Sequence, residues 1–236
     1  MSQIPNIFFK EEQLEEIYTK KEGIKVPTNQ TQYQFDTKDN LESFIRNQFP
    51  TDEEYANYKE YRRLWHYRAK NFEPGEFPLA VCAELVSTCN LSCGMCYTIT
   101  DEFKNTVLGA QRMLPWKTVK SIIDECSEMG VYSMLFSWRG EPTLYKSKDE
   151  NGKDVNIADV FRYARKKGIL EITAITHGQE IDEKLARDII DAEPSWLSFS
   201  FDGIKEKYNA IRTPTKWKGK DYDAFAIVSK NIKRFI

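Results

Sequence analysis

Apolar positions follow two regimes along the 236-residue chain. From residue 1 to about 70 they recur three or four apart among polar residues, the period of helices with one buried face. Lys10 to Lys21 carries Leu14, Ile17 and Tyr18 in this way, and Asp36 to Gln48 carries Leu41, Phe44 and Ile45. Thr51 and Glu54 then form a capping box for a third helix that sets Tyr55, Tyr58, Arg62 and Trp65 on one side. The turn-rich stretch Phe72-Glu73-Pro74-Gly75-Glu76-Phe77-Pro78 closes this regime. The pattern divides the chain into a helical extension, 1–76, and a main domain, 77–236.

Beyond the turn, short apolar runs alternate with longer amphipathic ones. Runs of strand length span Leu79 to Leu85, Val131 to Trp138, Ile169 to Thr176 and Trp196 to Phe201. Between and after them, helices are predicted over Pro115 to Met129, Ile157 to Lys167, Asp182 to Ala192 and Tyr222 to Ile236, with Lys146 to Asp154 as a polar loop. In the first of these, Trp116, Val119, Ile122, Ile123 and Cys126 mark one face, Pro115 lies near the start and Gly130 just past the end. Strand, loop and helix thus follow one another four times. The fold class is α/β, a parallel sheet with helices on its outer face. Sites in such folds assemble in the loops after the carboxyl ends of the strands.

Those loops are where the chemistry concentrates. After the first strand comes Cys89-Asn90-Leu91-Ser92-Cys93-Gly94-Met95-Cys96-Tyr97, with three cysteines spaced C-x3-C-x2-C. Arg139-Gly140-Glu141-Pro142 follows the second strand, His177-Gly178 the third and Asp202-Gly203 the fourth. Thiolates are soft ligands suited to zinc or iron–sulfur clusters. A structural zinc takes four ligands, and no fourth is evident. Cys82 and Cys126 fall within a strand and a helix face and read as small buried hydrophobes, while His66 and His177 lack ligand-like spacing to the loop. Three thiolates instead suit three corners of a [4Fe-4S] cube, whose fourth iron stays open.

These residues resemble the radical S-adenosylmethionine enzymes, whose signature is C-x3-C-x2-C after the first strand of a partial (β/α) barrel. The resemblance implies Cys89, Cys93 and Cys96 as cluster ligands. Met95 stands where the family usually has an aromatic residue and can pack against adenine. Arg139-Gly140-Glu141-Pro142 resembles the family's G-G-E-P motif, whose backbone and acid meet the amino group of the bound cofactor; this implies Gly140, Glu141 and Pro142 there, with the Glu141 carboxylate as anionic partner of the ammonium. Ser198-Phe199-Ser200-Phe201-Asp202-Gly203, followed by Ile211-Arg212, resembles a segment of the branch that often carries a C-terminal cluster domain (the SPASM group). It implies Ser200 and Asp202 at the ribose or carboxylate and Arg212 at the carboxylate. Thr176-His177-Gly178 takes the place of a T-N-G turn, with His177 able to line the pocket. Tyr61 to His66 looks like a leader found in relatives of this branch. The implied reaction is reductive cleavage of S-adenosylmethionine to a 5′-deoxyadenosyl radical that abstracts hydrogen from a peptide, protein or small-molecule substrate. A reductant such as flavodoxin or ferredoxin would supply the electron. The competing expectation is a non-catalytic zinc or iron–sulfur module that docks to a partner.

Composition narrows this further. A net charge of −2 gives no support to phosphate-driven nucleic-acid binding. No apolar run reaches the roughly 18 residues of a membrane span, and Met1 to Pro5 lacks the zones of a signal peptide. The expectation is a cytoplasmic protein, where thiols stay reduced. Four βα units fall short of the family's six. The chain is therefore expected to be the front part of a longer protein, with the fourth strand (Trp196, Leu197, Phe199, Phe201) left as an exposed apolar edge.

Overall fold

The computed structural model describes residues 38–107, 112–216, 218–219 and 221–235. The helical stripe at Lys10 to Lys21 lies outside them. The chain divides into two compact units, Met1–Leu79 and Ala80–Ile236.

In the first unit, α1 (Lys38–Gln48) and α2 (Asp52–Asn71) are consecutive helices. The capping box forms as the sequence predicts: Glu54 N donates to Thr51 Oγ1 at 3.1 Å and Thr51 N to Glu54 Oε2 at 3.3 Å. Phe49 stacks on Tyr58 with ring centroids 4.4 Å apart, and Arg46 reaches Asp52 at 2.8 Å. The buried side of α2 is Tyr58, Tyr61 and Arg62. Trp65, expected on that side, is exposed and meets Tyr61 only edge-on at 6.0 Å.

The second unit is built on β1 (Ala80–Cys82), β2 (Ser133–Leu135), β5 (Glu171–Thr176) and β6 (Trp196–Phe199), parallel and in the order β1-β2-β5-β6. Crossovers run through α3 (Trp116–Glu128), α4 (Ile157–Lys166) and α5 (Glu183–Ile190). One face of the sheet, Met134, Phe136, Ile172 and Ala174, joins Val119, Ile123, Val160, Phe161, Ala164 and Ile189 in the core. Strand alternation turns Cys82, Ser133, Ser137, Thr173 and Ile175 to the other face. Cys126 is buried as expected. Cys82 is not: it is exposed, because Val81 and Ala83 take the core side, and its thiol donates to Ser137 O at 3.2 Å.

The strands are shorter than their apolar runs. The run from Leu79 leaves the ladder after Ala83, whose N donates to Leu135 O at 2.9 Å. Leu85 and Val86 are buried against a different neighbour: Leu114 N donates to Leu85 O at 3.0 Å and Ser87 N to Arg112 O at 2.9 Å. The polar loop contains a small antiparallel pair, β3 (Ser147–Lys148) and β4 (Asp154–Val155). Its turn is held by Asp149, whose carboxylate accepts from Asn151 N at 2.9 Å and Lys153 N at 2.8 Å.

Two further helices, α6 (Glu206–Ile211) and α7 (Ala224–Ile232), follow β6. They change the expectation for the edge. Phe199 packs edge-on to Phe235 at 5.6 Å, and Phe201 lies 5.0 Å from Tyr208 and 5.7 Å from Phe225. Trp196, Leu197 and Phe199 are half-buried, and only Phe201 of the four is exposed. β6 remains the outer strand of the sheet, and the chain after Asp202 turns back to pack aromatic side chains on Phe199 and Phe201.

Candidate functional site

The cysteine loop leaves β1 and is tied to its surroundings on three sides. Toward β2, Glu141 N donates to Thr88 O at 3.0 Å. Toward the segment after α6, Ser92 N donates to Thr213 O at 2.7 Å and Thr215 N to Asn90 O at 2.9 Å. Toward the loop after β5, the Asn90 amide donates to Glu180 Oε1 at 2.5 Å and its carbonyl meets His177 Nε2 at 2.8 Å. Within the loop, Cys96 N donates to Cys93 O at 2.9 Å, turning the chain between those two cysteines.

The thiols of Cys89, Cys93 and Cys96 lie within electrostatic reach of one another. Burial pushes the Cys89 thiol up to about 12, helped by Glu141, Cys93 and Cys96 and opposed by Leu91 N, which donates to Cys89 Sγ at 3.4 Å. Burial also raises Cys93, with the Arg212 guanidinium pulling the other way. Cys96 Sγ pairs with Thr98 Oγ1 at 3.0 Å. Thiols held up in this way are poor nucleophiles at neutral pH. A bound cation reverses the balance by stabilising the thiolates. Among the described residues, no group of three or more His, Cys, Asp or Glu side chains is gathered as ligands of a single ion.

Facing the loop is the Arg139-to-Pro142 turn. Gly140 lies so close to the strand leading into the cysteines that an added Cβ would stand 2.0 Å from Val86 O and 2.7 Å from Thr88 O. The Glu141 side chain, 2% exposed, is filled by donors of its own chain. Its Oε1 accepts from Thr143 N at 3.0 Å and from the hydroxyls of Thr143 and Thr176, both at 2.5 Å; its Oε2 accepts from His177 N at 2.9 Å. The carboxylate thus joins the ends of β2 and β5, and what the turn presents outward is backbone. Pro142 is buried beneath it.

Arg139, where the family motif has its first glycine, reaches back to β1. Glu84 Oε2 accepts from Arg139 N at 3.0 Å and Nε at 2.8 Å, and Oε1 from Nη2 at 2.9 Å and Ser87 Oγ at 2.8 Å. Burial pushes the Glu84 carboxyl up, but the Arg139 and Ser87 hydrogen bonds outweigh it and hold the group below its ordinary value. Glu84→Ala is expected to cost about 1–2 kcal/mol, the worth of charge-assisted bonds reduced by partial solvent screening. Urea unfolding measures it.

His177 is fully engaged. Its Nδ1 accepts from Gln179 N at 3.0 Å, which leaves the proton on Nε2 to donate to Asn90 Oδ1. It is therefore not a fourth ligand, and it braces the cysteine loop. Burial pushes the ring below its ordinary value of 6.5, against the pull of Glu141 and Glu180. The unfolded chain then binds a proton that the fold resists, so stability is full above 6.5 and falls as the pH drops below it. The urea midpoint should decline between about pH 7.5 and about pH 5.5, and less steeply in His177→Gln.

Of the remaining predicted residues, Met95 is 60% exposed on the loop. Ser200 is half-buried just past β6, with its N donating to Thr176 O at 2.8 Å. Arg212 reaches the cysteine loop, with Nη1 3.8 Å from Cys93 Sγ and Nε bonded to Asp202 Oδ2. His66 lies on α2 in the first unit. Sequence reasoning gave no role to Asn90, Thr176 or the Thr213-Pro214-Thr215 strap, although Asn90 lies inside the cysteine motif and Thr176 opens the Thr176-His177-Gly178 turn.

A parallel α/β sheet with a three-cysteine loop at the end of its first strand defines the class. The chain belongs to the Radical SAM superfamily, whose model matches residues 84–235. Fe-coproporphyrin III synthase of Methanosarcina barkeri (strain Fusaro / DSM 804) is 31% identical over 126 residues, covering 52% of this chain and 27% of that protein. Among solved structures, native anSMEcpe with bound AdoMet shares the fold at a TM-score of 0.50 and 21% identity, covering 67% of this chain and 40% of that one. The same protein with AdoMet and the Kp18Cys peptide gives the same values. The match thus spans 27% of the curated relative and 40% of anSMEcpe. Among the described residues, no helix is long and apolar enough to cross a membrane.

Proposed function

We propose that this chain forms the cofactor-binding portion of a radical S-adenosylmethionine enzyme, with Cys89, Cys93 and Cys96 as the ligands of a [4Fe-4S] cluster. The observation that carries this is the interlocked pair of loops. The cysteine loop and the Gly140-Glu141 turn share the Glu141 N to Thr88 O bond, at the same end of adjacent parallel strands.

When bound, the cluster and S-adenosylmethionine supply one-electron cleavage to methionine and a hydrogen-abstracting 5′-deoxyadenosyl radical. The chain's own part is to hold and to shield. Cys89, Cys93 and Cys96 would hold the cluster by three thiolates, one fewer than a fully protein-held cube takes, which would leave a site for the cofactor. The backbone at Gly140 and Glu141 is set to receive the ammonium, kept in place by the saturated Glu141 carboxylate and buried Pro142. Met95 is exposed beside the cysteines and offers an apolar surface to adenine. Ser200, with Asp202, offers hydroxyl and carboxylate acceptors at the end of β6 for the ribose. Arg212 brings positive charge to the edge of the cysteine loop. The electron comes from a reductant of the flavodoxin or ferredoxin kind in a reducing compartment such as the cytoplasm. The substrate is a molecule with an abstractable hydrogen, of which a peptide, a protein and a small molecule are the classes to screen.

The test is product release. Protein reconstituted with iron and sulfide without oxygen, then given dithionite and S-adenosylmethionine, should form 5′-deoxyadenosine and methionine in equal amounts. A full cluster complement with neither product above the protein-free control would overturn the assignment.

A further inference from the structure

We propose that Arg212 sets the reduction potential of the cluster, as a fixed hydrogen-bond donor to the sulfur of Cys93; this rests on Cys93 being a cluster ligand.

The guanidinium is held from two directions. Its Nε donates to Asp202 Oδ2 in the loop after β6, while Nη1 lies 3.8 Å from Cys93 Sγ, within reach of a long hydrogen bond to sulfur. The side chain is only 16% exposed, so the contact is poorly screened. The backbone is fixed as well. Arg212 N donates to Tyr208 O at 2.8 Å, closing α6, and Tyr208 itself is fully buried. One residue on, Thr213 O accepts from Ser92 N at 2.7 Å, and Thr215 N donates to Asn90 O at 2.9 Å. The segment carrying Arg212 is thus stitched to Asn90 and Ser92, just before Cys93 in the cysteine loop. The arginine cannot drift from the thiol without breaking that seam.

Reduction adds one electron, and one negative charge, to a cluster already bearing anionic thiolates. A cation and an N–H donor at one ligand sulfur stabilise the reduced form more than the oxidised form. Hydrogen bonds to the sulfurs and local net charge are two of the factors that set such potentials. Asp202 opposes this in part, since its carboxylate is also near. Its larger effect is geometric: it occupies Nε and leaves the outer nitrogen aimed at sulfur. Arginine suits the position because its planar fork can serve two partners at once, whereas lysine offers a point charge on a flexible stem.

The experiment compares wild-type, Arg212→Lys and Arg212→Gln proteins, each reconstituted without oxygen and titrated with dithionite in the absence of S-adenosylmethionine. The reduced cluster is followed by low-temperature electron paramagnetic resonance, and iron and sulfide per chain are measured separately. The expected result is equal cluster content, a midpoint shifted to more negative potential in Arg212→Gln, and a smaller shift of the same sign in Arg212→Lys. Equal midpoints in all three proteins at equal cluster content would overturn the proposal and leave the ligand assignment standing. A wild-type protein that holds no iron–sulfur cluster would overturn the ligand assignment itself, and the proposal with it. If Arg212→Gln fails to retain cluster, the comparison of wild type with Arg212→Lys decides by the same criterion: a more negative midpoint supports the role, and an unchanged one overturns it.

Discussion

Cys93→Ala protein, reconstituted without oxygen, is expected to fold and to hold almost no cluster. Cys93 is 5% exposed and its side chain is small, so the truncation disturbs packing little. Its loss leaves two thiolates and removes the sulfur that Arg212 faces. Outer partners of metal ligands already cost about 10–100-fold in affinity when removed, and a ligand itself should cost at least on the order of 100-fold. Iron and sulfide per chain, the visible thiolate-to-iron absorption and far-UV circular dichroism together make the check. Cys89→Ala and Cys96→Ala should behave alike. Cys126→Ala is the control, because Cys126 lies on the buried face of α3 and its loss should leave cluster content unchanged.

Gly140→Ala is the second large effect, and its cause is backbone against backbone. The new Cβ would stand 2.0 Å from Val86 O, and carbonyls on the strand leading into the cysteines cannot rotate away as a side chain can. The two loops must separate, which breaks the Glu141 N to Thr88 O bond that couples them. Overpacking of this kind costs about 1–3 kcal/mol and sometimes more, and this site belongs at the upper end. Gly94→Ala, in the cysteine loop with nothing within 4 Å of the added Cβ, should be near neutral. Urea midpoints of the two variants measure the contrast, and Gly140→Ala should also lower cluster retention.

Much of the fold was legible because its signals are local. The helix of Ile157 to Lys166 and its capping residue Asn156, whose side chain accepts from Ala158 N at 2.8 Å, sit in one continuous stretch. So do the Thr51 and Glu54 capping box and the run that becomes β5. The misread parts depend on partners far along the chain. Leu85 and Val86 look like strand residues because they are apolar, yet they are buried by residues 112–114. The fourth strand looked bare because the aromatic residues that pack on its side chains, Tyr208 and Phe225 in short helices and Phe235 just past the last one, dock in a way no periodicity reveals.

The candidate site divides in the same way. The cysteine spacing and the Gly-Glu-Pro turn could be read directly, since each motif is contiguous. That Glu141 is saturated by Thr143, Thr176 and His177, and that Arg212 meets Cys93 across 119 positions, depend on the loops converging. Arg139 is the clearest case. In the motif it is a departure from glycine, and in the fold it is half of a forked pair with Glu84 that ties the second strand's loop to the first.

Whether Cys89, Cys93 and Cys96 hold a cluster with one iron free for S-adenosylmethionine is read from electron paramagnetic resonance of the dithionite-reduced, reconstituted protein before and after adding S-adenosylmethionine. The expected result is a reduced-cluster signal that changes shape and g-values when S-adenosylmethionine is added. A cluster signal that stays unchanged at saturating S-adenosylmethionine, or protein that carries zinc and no iron or sulfide after anaerobic purification, would contradict it.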